Sequence, residues 1–429
     1  MSTDMRARAT PDWAITIIWF IAGIFATGSF WYFLSSGNPA GTVISACATC
    51  VLAVLAIALH ARNDRLRQRS QRSGIPARLL SFVWTYPLSG ENEASWAVKE
   101  SAVLIGKLGS AREQPALGVA IVTTELALAS FGSAADSRIE RCISWGVARA
   151  EREPPHRFLV EVRDPSDYEV ERLKPDFRHT LAFGVILARA RKHYSYLKSH
   201  LELVLARQEG DGGWPPESAA ATSPVFTAFY AVELLHLALS DPAIPERIRT
   251  AIPAARANGL RWLMEHRGPD GLWSSGVLRA FAWDGVFATA WVLHRLACTA
   301  EVPVAGWRHC LQEAMFVMIQ HALEPQTWAG STEAQRYRVE ARVAAAVCRA
   351  RRMSQLSARS REAARLYQGS WSARAANWVN QLPPEEMDVS TAAFLVWGLV
   401  SEEHLPDLGR AVLSSERIEE DGPPIHQLS

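Results

Sequence analysis

Between residues 90 and 410 the chain repeats one unit: a helical segment, an Asp-Gly turn ending in Trp, and a second helical segment opening on Thr-Ala. The clearest copy runs through 196–207, then Gln208-Glu209-Gly210-Asp211-Gly212-Gly213-Trp214, then 224–238. The next runs through 259–265, then Arg267-Gly268-Pro269-Asp270-Gly271-Leu272-Trp273, then 284–296. Matching second-helix openings stand at Thr124, Thr180, Thr227, Thr289 and Thr391, at spacings of 56, 47, 62 and 102 residues. The last spacing is a double one. Midway through it, 339–346 reads as a helix that has lost its Thr, with Trp328 at its turn. A hairpin of this size cannot bury its apolar face alone and must stack on its neighbours. The count predicts six helical hairpins, the first and fifth degenerate. No strand alternation is read anywhere in 90–410.

Each residue of the turn has a physical task. Glycine permits a positive φ, aspartate accepts from turn amides, and glutamine reaches the backbone of the neighbouring repeat. The indole of Trp fills the gap between successive hairpins. Gln208-x-x-Asp211-Gly212-Gly213-Trp214 resembles the QW motif of the squalene/oxosqualene cyclase and protein prenyltransferase superfamily, and Arg267-x-x-Asp270-Gly271-x-Trp273 is a copy with Arg for Gln. The resemblance covers roughly 90–405. It implies an all-α fold, an α/α6 toroid of about six hairpins, and an apolar, isoprenoid or lipid-like ligand in the central cavity. The superfamily's chemistry does not follow from it, because these are fastening residues. No adjacent Asp pair occurs in the chain, so the Asp-x-Asp-Asp acid of the cyclases and the Asp-Asp-x-x-Asp magnesium motif are both missing. The Asp-x-Cys zinc pair of the prenyltransferases is also missing, and His309-Cys310 alone is weak metal evidence. No cofactor or metal is expected.

Polar residues near the starts of the second helices would point into the cavity of such a toroid: Asp176, His179, Asp284, Glu340 and Asp388. Asp284 and Asp388 are the candidate proton donors, with His179 tuning them, and helix capping is the competing role for each. Trp283, Phe287, Trp291, Phe226, Tyr230 and Trp397 are the candidate lining of an apolar cavity.

Residues 13–34 and 40–59 carry no charged side chain. At about 1.5 Å per residue each is long enough to span a hydrocarbon core of about 30 Å. They predict a transmembrane hairpin in residues 1–60. A basic linker follows at 61–89, with Arg62, Arg65, Arg67, Arg69, Arg72 and Arg78 opposed only by Asp64. The positive-inside rule puts this flank, and with it both termini, in the cytoplasm of a cell whose inner membrane holds the hairpin. The toroid occupies 90–410, and 411–429 is expected to be a disordered tail. A formal net charge of +1 over 429 residues excludes a basic nucleic-acid binder. The expected partners are membrane lipid and an apolar small molecule or a protein. Two functions stay open: a membrane-anchored, terpenoid-cyclase- or prenyltransferase-like enzyme with acid-initiated chemistry, or a non-catalytic receptor or scaffold subunit of a membrane assembly. A cysteine placed at Asn38 should label from outside the membrane and one at Ser70 should not; the reverse pattern overturns the topology.

Overall fold

The computed structural model describes residues 74–84, 117–164, 167–215, 224–276, 278, 280–381 and 389–420. The two expected membrane segments, 13–34 and 40–59, and Asp388 lie outside them. Among the described residues no helix is long and apolar enough to cross a membrane. The described chain is predominantly helical. In order, the helices are α1 (74–84), α2 (Leu117–Phe131), α3 (Asp136–Ala148), α4 (Phe177–Ala190), α5 (Tyr194–Arg207), α6 (Pro224–Leu239) and α7 (Glu246–Glu265). They continue with α8 (Asp284–Leu296), α9 (Trp307–Leu323), α10 (Glu333–Ala350), α11 (Ala358–Gln381), α12 (Val389–Leu399) and α13 (Leu405–Glu420).

Helices α2, α4, α6, α8, α10 and α12 each pack on the next, and α12 packs back on α2, so the six close a ring. The others lie outside it: α5 and α7 against α4 and α6, α9 against α8, α11 against α10, and α13 against α2. This order of packing fits an α/α toroid. The inner helices are those counted from Thr124, Thr180, Thr227, Thr289 and Thr391, with α10 as the Thr-less member. They are buried on nearly every side, as a helix apolar all round must be.

The recurrent Thr has a clear role in two repeats. Thr289 Oγ1 accepts the backbone N–H of Trp273 at 2.9 Å. Thr180 Oγ1 accepts that of Phe158 at 2.9 Å while donating to the Asp176 carbonyl at 2.7 Å. The inner helix thus satisfies the chain that leads into it, where a buried N–H would otherwise be orphaned.

The Gln208–Trp214 turn fastens two repeats together. Gln208 Nε2 donates to the Gly212 carbonyl at 2.9 Å and to the Ala255 carbonyl of α7 at 2.8 Å. Asp211 accepts from Gly213 N at 2.8 Å and, across the repeat boundary, from Trp262 Nε1 at 3.1 Å. Trp214 donates its indole N–H to the Val204 carbonyl at 2.9 Å. Gly212 has φ +93°, and a Cβ on Gly213 would come within 2.4 Å of the Trp262 indole. In the second copy Arg267 replaces Gln and reaches α9 instead, at the Cys310 carbonyl (3.3 Å) and Glu313 (2.9 Å). Trp273 repeats the Trp214 bond, donating to Leu263 O at 2.8 Å, beside Gly271 at φ +81°. Asp270 repeats only the turn bond, accepting from Leu272 N at 3.1 Å.

Three expectations need correction. An antiparallel hairpin, β1 (Leu159–Asp164) and β2 (Asp167–Pro175), stands between α3 and α4, although no strand was expected. Its β-branched and charged residues alternate over too few positions to stand out against the helical pattern. Residues 74–84 form a helix rather than linker: Leu79, Leu80 and Val83 are buried, and the Trp84 ring lies 4.1 Å from that of Phe131, tilted against it. Helix α13 runs to Glu420, well into the expected tail, because Leu405 and Val412 are buried beside α2. Residues 421–429 lie outside the described chain.

Trp214→Ala should lower stability by about 3–5 kcal/mol, a large-to-small change in a closed site. Thermal melting of the purified protein reads this directly; an unchanged midpoint would refute the fastening role.

Candidate functional site

The inner wall carries an unbroken series of rings. Trp283, Phe287, Trp291 and His294 follow one another along one face of α8, at the near-fourfold spacing that aligns side chains on a helix. Phe226 of α6 lies 6.2 Å from Phe287. Phe287 lies 6.0 Å from Trp283 and 6.5 Å from Trp291. Trp291 meets Phe394 of α12 edge-on at 5.2 Å, and His294 joins Phe394 at 5.2 Å and Trp397 at 6.1 Å. Tyr230 enters through Phe229, 4.2 Å away, which is itself 5.3 Å from Phe226. All six candidate lining residues therefore belong to one series. The Arg342 guanidinium of α10 sits over Phe394 (4.9 Å) and Phe287 (5.8 Å). The indole N–H groups of Trp283 and Trp397 are buried and have no acceptor among the described residues.

The C-terminal half of the ring is filled by charge. Arg295 of α8, fully buried, donates to Glu233 of α6 through Nε at 2.9 Å and through a second, shorter bond. It also donates to Glu125 of α2 at 2.7 Å. Arg189 of α4 bridges the same two carboxylates at 2.7 Å and 2.6 Å. Arg349 of α10 pairs with Glu125 and donates to the His294 carbonyl at 2.9 Å. Three guanidinium groups thus face two carboxylates, contributed by five inner helices. Burial opposes the ionisation of Glu125, yet Arg189, Arg349 and Arg295 hold its carboxyl well below the ordinary value. Glu233 is lowered in the same way: burial opposes, and Arg295 and Arg189 prevail. Burial, then Arg349 and Arg295, pushes His294 far below the usual imidazole value, so it is neutral. Among the described residues, neither of its ring nitrogens has a hydrogen-bond partner.

The candidate acids are placed differently. Asp284 is buried, and its oxygens accept from Ser274 Oγ at 2.6 Å, from Ser275 N at 3.1 Å and from Ser275 Oγ. They tie down the loop leading into α8. Asp176 is the N-cap of α4 and holds His179 at both its N–H (2.8 Å) and its Nδ1 (2.7 Å). Burial works against the Asp176 carboxylate, but the His179 bonds and charge outweigh it and bring its pKa down to about 2. Glu340 is buried but turns outward, accepting from Arg336 at 3.0 Å and from Arg374 of α11 at 3.3 Å. His179 and Asp284 thus make their hydrogen bonds with different partners, and Asp388 lies outside the described residues. Among the described residues no three His, Cys, Asp or Glu side chains stand together as a metal site. Neither a family model nor a curated protein matches the chain.

The charged cluster was not anticipated, although part of its signal is in the sequence. Glu125 is the only charged residue of α2 and Glu233 the only one of α6. A lone charge in an otherwise apolar buried helix requires a partner.

Arg295→Leu should cost about 3–5 kcal/mol at neutral pH, since it leaves two buried carboxylates underpaired. In the wild type, stability should fall with acid in two stages. Below about 6.5 the unfolded chain protonates His294 while the folded one does not; below about 4.5 it also protonates Glu125 and Glu233, whose folded values are lowered. The cost of Arg295→Leu should shrink in that lower range. Denaturant titrations from pH 8 to 3 measure both, and a pH-independent cost would refute the ion-pair account.

Proposed function

We propose that this protein binds an apolar, isoprenoid- or lipid-like molecule inside its helical ring, while the uncharged segments 13–34 and 40–59 hold it at a membrane where such molecules partition. The observation that supports the reading is the aromatic series from Phe226 through Phe287 and Trp291 to Phe394, drawn from three inner helices. Rings arranged along one wall offer a long apolar molecule continuous contact, and their faces also favour cations. From Trp283 to His294 the wall spans eleven residues, about 16 Å at the helical rise.

Acid-initiated chemistry is the weaker part of the sequence expectation. Asp284 is committed to the Ser274-Ser275 loop, and Asp176 stays ionised far below neutral pH. A terpenoid-cyclase-like enzyme would need its proton from elsewhere, with Asp388 as the remaining candidate. The second reading, a receptor or scaffold subunit, is favoured by this engagement of the carboxylates and needs no change in the ligand.

The test is photo-cross-linking of the full-length protein with a diazirine-bearing dodecanol, followed by peptide mapping. Adducts in 224–239, 284–296 or 389–399 that excess dodecanol suppresses are expected. Adducts confined to other segments would refute ligand binding in the ring.

A further inference from the structure

We propose that the ligand of this ring carries a carboxylate, received at the inner end of the aromatic wall by the Trp397 indole N–H and the His294 imidazole beside Arg349. The inference rests on the reading of the ring as an apolar-ligand site and adds the chemical class of the ligand's head.

The aromatic wall and the charged cluster meet at one place. His294 is the last member of the ring series on α8, and the next residue, Arg295, is the centre of the ion-pair network. Trp397 lies 6.1 Å from the His294 ring, and the Arg349 guanidinium is 4.7 Å from the Trp397 ring centroid. A molecule lying along Phe287, Trp291 and Phe394 therefore ends against these three side chains.

That corner holds unsatisfied groups of its own, as the network does elsewhere at Arg189 Nε. His294 is 1% exposed and Trp397 2%, yet among the described residues both imidazole nitrogens and the indole N–H lack partners. Leaving a buried polar group unpaired is costly, and native interiors avoid it unless something outside the chain fills the need. The neighbouring Arg349 is already engaged with Glu125 and the His294 carbonyl, so it is held in position and contributes its charge rather than a new donor. What the corner lacks is an acceptor for the indole N–H and for one imidazole N–H.

Charge selects among the possible acceptors. Three guanidinium groups stand against two carboxylates, and the nearby His294 is neutral. A third carboxylate would bring the count to three and three. An alcohol or ester would satisfy the hydrogen bond without matching the charge. The two carboxylate oxygens also suit two separate donors, one from α12 and one from α8.

The experiment is competition for the dodecanol cross-link in the full-length protein by dodecanoic acid, dodecanol and methyl dodecanoate, at a pH where the acid is ionised. Dodecanoic acid should displace the probe at a concentration about tenfold or more below that of the methyl ester, as expected for a charge-assisted hydrogen bond made to one and not the other. Trp397→Phe keeps the ring and removes the donor. It should abolish most of the acid's advantage while leaving displacement by dodecanol unchanged. Equal displacement by acid and ester in the wild type overturns the carboxylate proposal and leaves the apolar-ligand reading intact. So does an acid preference that survives Trp397→Phe and His294→Phe alike. Loss of the cross-link from the ring altogether would overturn the underlying reading instead.

Discussion

Everything in the described ring has to accommodate one buried guanidinium. Arg295 is fully buried with all its bonds made to two carboxylates from other helices, and those carboxylates are shared with Arg189 and Arg349. Taking such groups out of water costs several kcal/mol each, and only near-complete mutual pairing offsets it. Apolar packing tolerates small shifts between helices, but this network does not. It links α2, α4, α6, α8 and α10, leaving their relative heights around the ring little freedom. The aromatic wall inherits that order, because Phe287, Trp291 and His294 stand on the same helix as Arg295.

The two ends of each repeat are stabilised by different means. At the entrance to an inner helix the work is done by short-range bonds: Thr to the incoming backbone, Asp to turn amides, Gln or Arg to the next outer helix. At the exit of five of the six inner helices it is done by long-range ion pairs. The apolar wall runs between them, and its unpaired indole N–H groups occur near each end, at Trp283 and Trp397. The aromatic series is therefore built from residues that neither the turns nor the ion pairs consume.

How much of this was legible in the sequence follows the same division. Turn residues act locally, so Asp211, Gly212 and Trp214 could be read from spacing: Asp211 accepts a turn amide, Gly212 has a positive φ and Trp214 bonds the Val204 carbonyl. The count of inner helices came from Thr, for a reason the sequence did not disclose: at Thr180 and Thr289 the hydroxyl receives a backbone N–H. The wall residues were readable because helical periodicity puts 283, 287 and 291 on one face. The ion-pair partners were not, since they lie 44 to 224 positions apart and Arg349 is hidden in a run with Arg351 and Arg352. The short hairpin Leu159–Pro175 and helix 74–84 were missed because each is a brief departure from a strong surrounding pattern. Asp284 is buried, but its partners, Ser274 and Ser275, showed no sign of their role in advance.

The sharing of Glu125 has a consequence for how the chain is made. During synthesis its carboxylate leaves the ribosome first, and its partners follow 64, 170 and 224 residues later as Arg189, Arg295 and Arg349. Until then α2 has no means of neutralising that charge in an apolar setting, and α12 and α13, which cover its flanks, are later still. A nascent ring of two or three hairpins is thus incomplete in both charge and shape, unlike an open stack of repeats that can grow from one end. Closure is a late, long-range event of the kind that slows folding, and a ribosome-bound intermediate would expose an unpaired inner face to chaperones.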